Sequence, residues 1–147
     1  MWSLFSLQIP NSRMNLPLTI LYYASSISGK VRFQKLVYLC TKEAGVTTEY
    51  QFRLHKFGPF SDALSEDLQE LVVDKKILMA EEISWMSPEG PSVLIVYSLT
   101  QSGKSMIEKK VLPTYDVATK NRVQEVVQRY NNLPLEKLLS YVYSNYV

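Results

Sequence analysis

The sequence predicts an α+β protein, mostly helical, with a winged helix-turn-helix core, a two-stranded wing and additional C-terminal helices. Two observations carry that reading. Three stretches with apolar residues at helical spacing, "LPLTILYYASSI", "VRFQKLVYLCTKEAG" and "SDALSEDLQELVVD", come before two strand-like runs, "KILMAEEISWM" and "VLIVYSL". The strand-like runs flank "SPEGPS", where Pro88, Gly90 and Pro91 mark a turn, so a hairpin is expected over about 77–99.

The elements follow in order. Residues 1–13 form an N-terminal extension, apolar at Trp2, Leu4, Phe5, Leu7 and Ile9 and broken at "IPNSR". The core domain is placed at 14–112. Its first helix carries Pro17 in the first turn, where a missing N–H costs little, and stops at "SG". The second has Phe33, Leu36, Val37, Cys40 and Ala44 on one stripe and closes at Gly45. "TTEYQFRLHKF" reads as extended, and Gly58-Pro59 as a turn. Ser61 is a good N-cap for a third helix running from about Asp62 to Asp74, with Leu64, Leu68, Leu71 and Val72 as its inner stripe. After the hairpin, "VYSLTQSGKSMIEK" leads a strand into a helix at Thr100, and Pro113 stops that helix. Its Y-x-L-T-x-x-G pattern recurs across winged-helix regulators. Residues 113–147 form a C-terminal helical extension, packed on the core, of two amphipathic helices, "DVATKNRVQEVVQRY" and "NNLPLEKLLSYVYSNY". The last is expected to carry Leu135, Leu138, Leu139, Val142, Tyr143 and Tyr146 on one side.

The totals fit one domain: 147 residues, 46% apolar and 20% charged. Cys40 is the lone cysteine, so no internal disulfide forms, and it falls on an apolar stripe. No apolar run approaches the ~20 residues that span a bilayer. The start has no basic n-region and reaches Pro10 too soon for a signal peptide. A cytoplasmic protein without a membrane partner is expected.

The chemistry points away from an enzyme. "GKS" at 103–105 lacks the earlier glycine of a phosphate loop, where Ser98 stands instead. His55 is the lone histidine, and one His with one Cys is too few for a zinc site. No cofactor and no metal are expected.

"GKVRFQKLVYL", "FRLHKFGPFSDALSEDLQEL" and "PLEKLLSYVYSNY" resemble the YwgA-like family of small bacterial and archaeal proteins and, more distantly, the Panacea domain of SocA-like antitoxins. The resemblance covers about residues 16–146, and its most specific parts are "QKLVYL", "FGPFS" and "YVYSNY". It implies a winged-helix core and hands over no activity.

Net charge is +2, unevenly spread: +5 over residues 1–60, −6 over 61–90 and +3 over 91–147. A polarised chain of this kind often carries an interaction surface. The third helix is where a winged helix usually meets DNA. Here it has Asp62, Glu66, Asp67, Glu70 and Asp74 and no basic residue, and the wing tip offers only Glu89. Phosphates would repel such a face.

Two readings of function stay open. The first is a DNA-binding transcription regulator with a displaced basic face: Lys30, Arg32 and Lys35, then Arg53, His55 and Lys56, with Lys104, Lys109 and Lys110 further along. Against it stands the plainer reading of solvated loop residues, with the His55 ring packed on the turn. The second is a protein-interaction module, antitoxin-like or adaptor, that meets a basic protein through Asp62, Glu66, Asp67 and Glu70. Glu66, Asp67 and Glu70 lie off the inner stripe, so all three are expected to accept Gln without loss of fold. A homodimer is expected through the last helix together with Trp2 to Ile9.

Overall fold

A computed structural model describes residues 11–147, and among them lie six α-helices and five strands. The apolar start at Trp2 to Ile9 lies outside the described residues, and with it half of the expected dimer surface.

Helix α1, Asn15–Ala24, buries every residue from Leu16 to Leu21, so it runs through the middle of the protein. It ends where Ser25 takes a positive φ of 68°. A strand that the periodicity did not announce follows at once: β1, Ser26–Ser28. Three residues are too few to display an alternation. Its Ile27 is buried and sits opposite Tyr97. Helix α2, Lys30–Glu43, is the other central helix, buried without a break from Phe33 to Cys40.

Strands β2, Arg53–His55, and β3, Gly58–Phe60, form a small separate hairpin. Its turn falls on Lys56 and Phe57 rather than on Gly58-Pro59. Gly58 and Pro59 are instead strand residues, opposite His55 and Leu54, in a two-stranded ribbon that tolerates proline because each strand is an edge. Helix α3, Asp62–Val73, is capped by Ser61, whose hydroxyl accepts from the Leu64 N–H at 3.2 Å.

The long hairpin falls where the sequence put it, with β4 at Ile77–Ser87 and β5 at Gly90–Leu99. With β1 it makes an antiparallel sheet of order β1-β5-β4, irregular between Ile83 and Trp85. Helix α4, Gln101–Met106, continues through a π-helical turn at Ile107–Val111 and a 3-10 turn at Leu112–Thr114 that holds Pro113. Helices α5, Val117–Tyr130, and α6, Leu135–Tyr146, follow.

These last helices share the core of the rest. Val123, Val126, Val127, Tyr130, Leu138 and Val142 belong to the same buried cluster as α1 and α2. Residues 113–147 thus pack on the core of the preceding helices. Most of the segment 1–13 lies outside the described residues, and its Arg13 is tied into α3. No described helix is long and apolar enough to cross a membrane.

The Y-x-L-T-x-x-G stretch has a physical account. Tyr97 is buried edge-on against Phe33, with ring centroids 5.4 Å apart. The Thr100 hydroxyl donates to the Lys75 carbonyl at 2.6 Å and accepts from the Gly103 N–H at 2.9 Å. It thus caps α4 and fastens the turn that leads into β4. Gly103 is small because the Lys76 carbonyl passes so close: an added Cβ would lie 2.0 Å from that oxygen. Gly103→Ala is therefore expected to destabilise the fold by about 2 kcal/mol or more, against about 1 kcal/mol for Thr100→Ala, in urea unfolding.

Candidate interaction site

The site is built on a clasp between α2 and the segment entering α3. The Gln34 side chain brackets Ser61: its Nε2 donates to the Ser61 carbonyl and its Oε1 accepts from the Ser61 N–H, each at 2.9 Å. Beside it, Lys35 Nζ donates to the Pro59 carbonyl at 2.7 Å. Gly58 leaves room for that stem, with φ at 96° and its would-be Cβ 3.4 Å from Lys35 Cε. Lys35 is only 1% exposed, so it is not part of a DNA-binding face, where the sequence put it. Its aliphatic stem and its amine are both used internally. Burial pushes the amine down from its ordinary value to about 8.

The remaining expected cations divide. Arg32 Nη1 donates to the Asn131 carbonyl at 2.7 Å and to the Tyr130 carbonyl at 3.4 Å, closing the C-terminal end of α5. Arg53 pairs with Asp62 through two hydrogen bonds of 3.1 and 3.2 Å. His55 is exposed and its ring stacks on Phe60 at 5.0 Å, across the hairpin rather than on Gly58-Pro59. Lys56 is exposed beside Phe57. Lys30 is exposed at the mouth of a groove of about 240 Å³ lined by Gln34, Ser65, Glu66, Gln69 and Tyr97. Lys104, Lys109 and Lys110 are exposed on and just after α4. Of the six residues first named, three stay exposed without a hydrogen bond or ion pair among the described residues: Lys30, His55 and Lys56.

The acidic helix needs one correction. Asp67 does not face outward. It is 2% exposed and accepts from Arg13 Nε at 2.7 Å, Arg13 Nη2 at 2.9 Å and the Tyr50 hydroxyl at 2.7 Å. That network bridges the N-terminal turn, the loop before β2 and α3. The carboxylate holds the Arg13 guanidinium above its ordinary value through these hydrogen bonds, and burial pushes the Tyr50 phenol up. Neither partner carried a signal in the sequence, since Arg13 lies 54 positions away in a segment without periodicity. Asp62 belongs to the outer face and is paired with Arg53. Glu66 and Glu70 are exposed one helical turn further on, and among the described residues neither makes an ion pair. Their i, i+4 spacing puts Asp62, Glu66 and Glu70 in one line.

A second carboxylate was missed altogether. Glu43, in the last turn of α2, accepts from the hydroxyls of Tyr130 at 2.5 Å and of Tyr141 and Tyr146 at 2.6 Å. Burial raises its pKa, but the three phenol hydrogen bonds outweigh burial and hold it below the usual range. A carboxylate there faces the negative end of its own helix, which the phenols offset. Tyr141 and Tyr146 are therefore committed internally. On α6, Leu135 and Tyr143 point outward instead of joining the inner stripe expected of them. The Cys40 thiol is fully buried and pushed well up by burial, so it is a poor nucleophile.

A scan against protein families finds no match, and a search of curated proteins finds no relative. The resemblance drawn from the sequence rests on the quoted motifs alone.

Two outcomes test this arrangement. Asp67→Asn is expected to cost about 2 kcal/mol, since the amide cannot accept from both Arg13 nitrogens and the Tyr50 hydroxyl, whereas Glu66→Gln and Glu70→Gln stay within about 0.5 kcal/mol in the same denaturation assay. The Lys35 amine should also write itself into pH dependence. Below about pH 8 it is protonated in both states and the cost of burying its charge is in full force. Between that value and the ordinary 10.5 the unfolded chain holds a proton that the folded chain releases, so stability rises with pH. The gain is up to about 3 kcal/mol, and it is cut off above about pH 10 by the phenols of Tyr50 and Tyr130, which burial keeps protonated in the folded state. Unfolding curves across pH 7 to 10 should show this rise in the native chain and not in Lys35→Met.

Proposed function

We propose that this protein is a non-enzymatic winged-helix protein of the cytoplasm, akin to the YwgA-like group, that works by binding a basic protein partner through the outer face of α3. The fold part of the reading is supported by the element order α1, β1, α2, β2, β3, α3, β4, β5 and by the sheet order β1-β5-β4, with the hairpin β4–β5 in the position of a wing. It is supported further by the clasp, which makes one unit of "QKLVYL" and "FGPFS", two of the motifs that carry the resemblance. The non-enzymatic part is supported by an exposed His55 that packs on Phe60 and by a buried, inert Cys40.

One observation carries the interaction part. The helix that a DNA-binding winged helix inserts into a groove here presents unpaired, exposed Glu66 and Glu70, while Lys35, Arg32 and Arg53 are buried or committed elsewhere. Sequence-independent DNA affinity comes from lysines and arginines that displace counterions, and the accessible remainder near this face is Lys30 and Lys56. A basic protein surface meets the opposite condition, with attraction to Glu66 and Glu70. The alternative of a DNA-binding regulator with a displaced basic face is favoured by the exposure of Lys30, His55 and Lys56.

The test sets the two side by side. Fluorescence anisotropy with random duplex DNA at low salt is expected to show no binding. Affinity capture from a nuclease-treated extract of the native cells should retain a basic protein on the full chain and lose it on Glu66→Gln/Glu70→Gln. DNA binding that falls steeply with salt and is weakened by Lys30→Ala/Lys56→Ala would overturn the proposal in favour of the regulator.

A further inference from the structure

Strand β4 is an open edge. The sheet order is β1-β5-β4, and β4 pairs only with β5 among the described residues. Half of its backbone N–H and C=O groups therefore point away from every described strand. The edge is long, running from Ile77 to Ser87. From Ala80 to Met86 every described side chain is exposed. Ile83, Trp85 and Met86 are 66%, 63% and 64% exposed, and Val93 beside Ile83 on β5 is exposed too.

A long apolar edge invites pairing with any strand, and natural sheets usually guard against it. The guards on β4 are selective. Glu81 and Glu82 are adjacent, so they point to opposite faces of the sheet, and an irregular register lies between Ile83 and Trp85. Two carboxylates on a strand repel a second acidic strand, including another copy of β4. They attract a strand with two adjacent cations, which would meet one carboxylate on each face. Leu78 on one side of the pair and Ile83, Trp85 and Met86 on the other offer apolar contact to whatever flanks those cations.

We propose that the β4 edge takes up, by strand addition, an extended segment of a partner protein that carries two adjacent Lys or Arg residues flanked by β-branched apolar residues. Main-chain hydrogen bonds to β4 supply the binding, Glu81 and Glu82 choose the charge, and Ile83 and Trp85 choose the flanks. This surface is separate from the outer face of α3 and stands whether or not that face binds a partner.

The probe is a short capped peptide with a Val-Lys-Lys-Val core, titrated into the full chain by anisotropy, with amide hydrogen exchange of the complex. Saturable binding is expected, with slowed exchange in β4. Glu81→Gln/Glu82→Gln should weaken it roughly tenfold, from two lost cross-strand ion pairs. Methylation of alternate backbone nitrogens in the peptide should abolish it, while Glu136→Gln on α6 leaves it unchanged. Four results would each overturn the proposal. One is no saturable binding, and another is equal binding of the methylated peptide. A third is a dimer of the free protein with slowed exchange in β4, which would make a second copy the occupant. The last is adsorption to neutral phosphatidylcholine vesicles through Trp85 that the Gln variant does not alter.

Discussion

A buried amine and a buried amide on α2 need partners, and the backbone from Pro59 to Ser61 supplies them. Leaving such groups unsatisfied inside a protein costs more than any surface contact returns. The rest of the architecture follows from that requirement. Meeting it fixes the hairpin β2–β3 against α2, sets Ser61 where it caps α3, and so sets which side of α3 faces inward. The same α2 meets the C-terminal helices through Arg32 at one end and Glu43 at the other. One helix thus aligns both the acidic face and the C-terminal pair.

Much of the fold was legible in the sequence because it rests on periodicity and punctuation. The apolar stripes of α1, α2, α3 and α5, the cap at Ser61 and the turn at Pro88 to Pro91 are local signals. What escaped was decided at a distance. Strand β1 is defined by its partner β5 and is too short to show a pattern. Lys35 reads as a surface cation until Pro59 offers its carbonyl, and Asp67 reads as a surface anion until Arg13 and Tyr50 arrive from elsewhere in the chain. On α6 the tyrosines divided by where their hydroxyls find a carboxylate, and apolar spacing could not say which.

The candidate surfaces were legible in the same uneven way. That the segment from 61 to 90 is acidic is plain from composition. Which acidic groups remain free needs the partners in space: Asp62 is paired, Asp67 is internal, and Glu66, Glu70, Glu81 and Glu82 face solvent. The basic groups sort by the same rule, and more of them are spent on holding the fold together. The surface around α3 and β4 therefore keeps fewer free carboxylates than the sequence suggests, and those that remain, Glu66 and Glu70 on α3 and Glu81 and Glu82 on β4, form two separate pairs.

The Glu43 cluster has a further consequence for cooperativity. One carboxylate is shared by hydroxyls from two different helices, so α5 and α6 cannot let go of α2 independently without stranding a charge among phenols. Terminal helices commonly open on their own at little cost, ahead of global unfolding. Here α6 is held by Tyr141 and Tyr146, whose bonds reach back to the central helix. Helix α6 thus belongs to the same cooperative unit as α2, and the loss of either donor is felt by both helices rather than as local fraying.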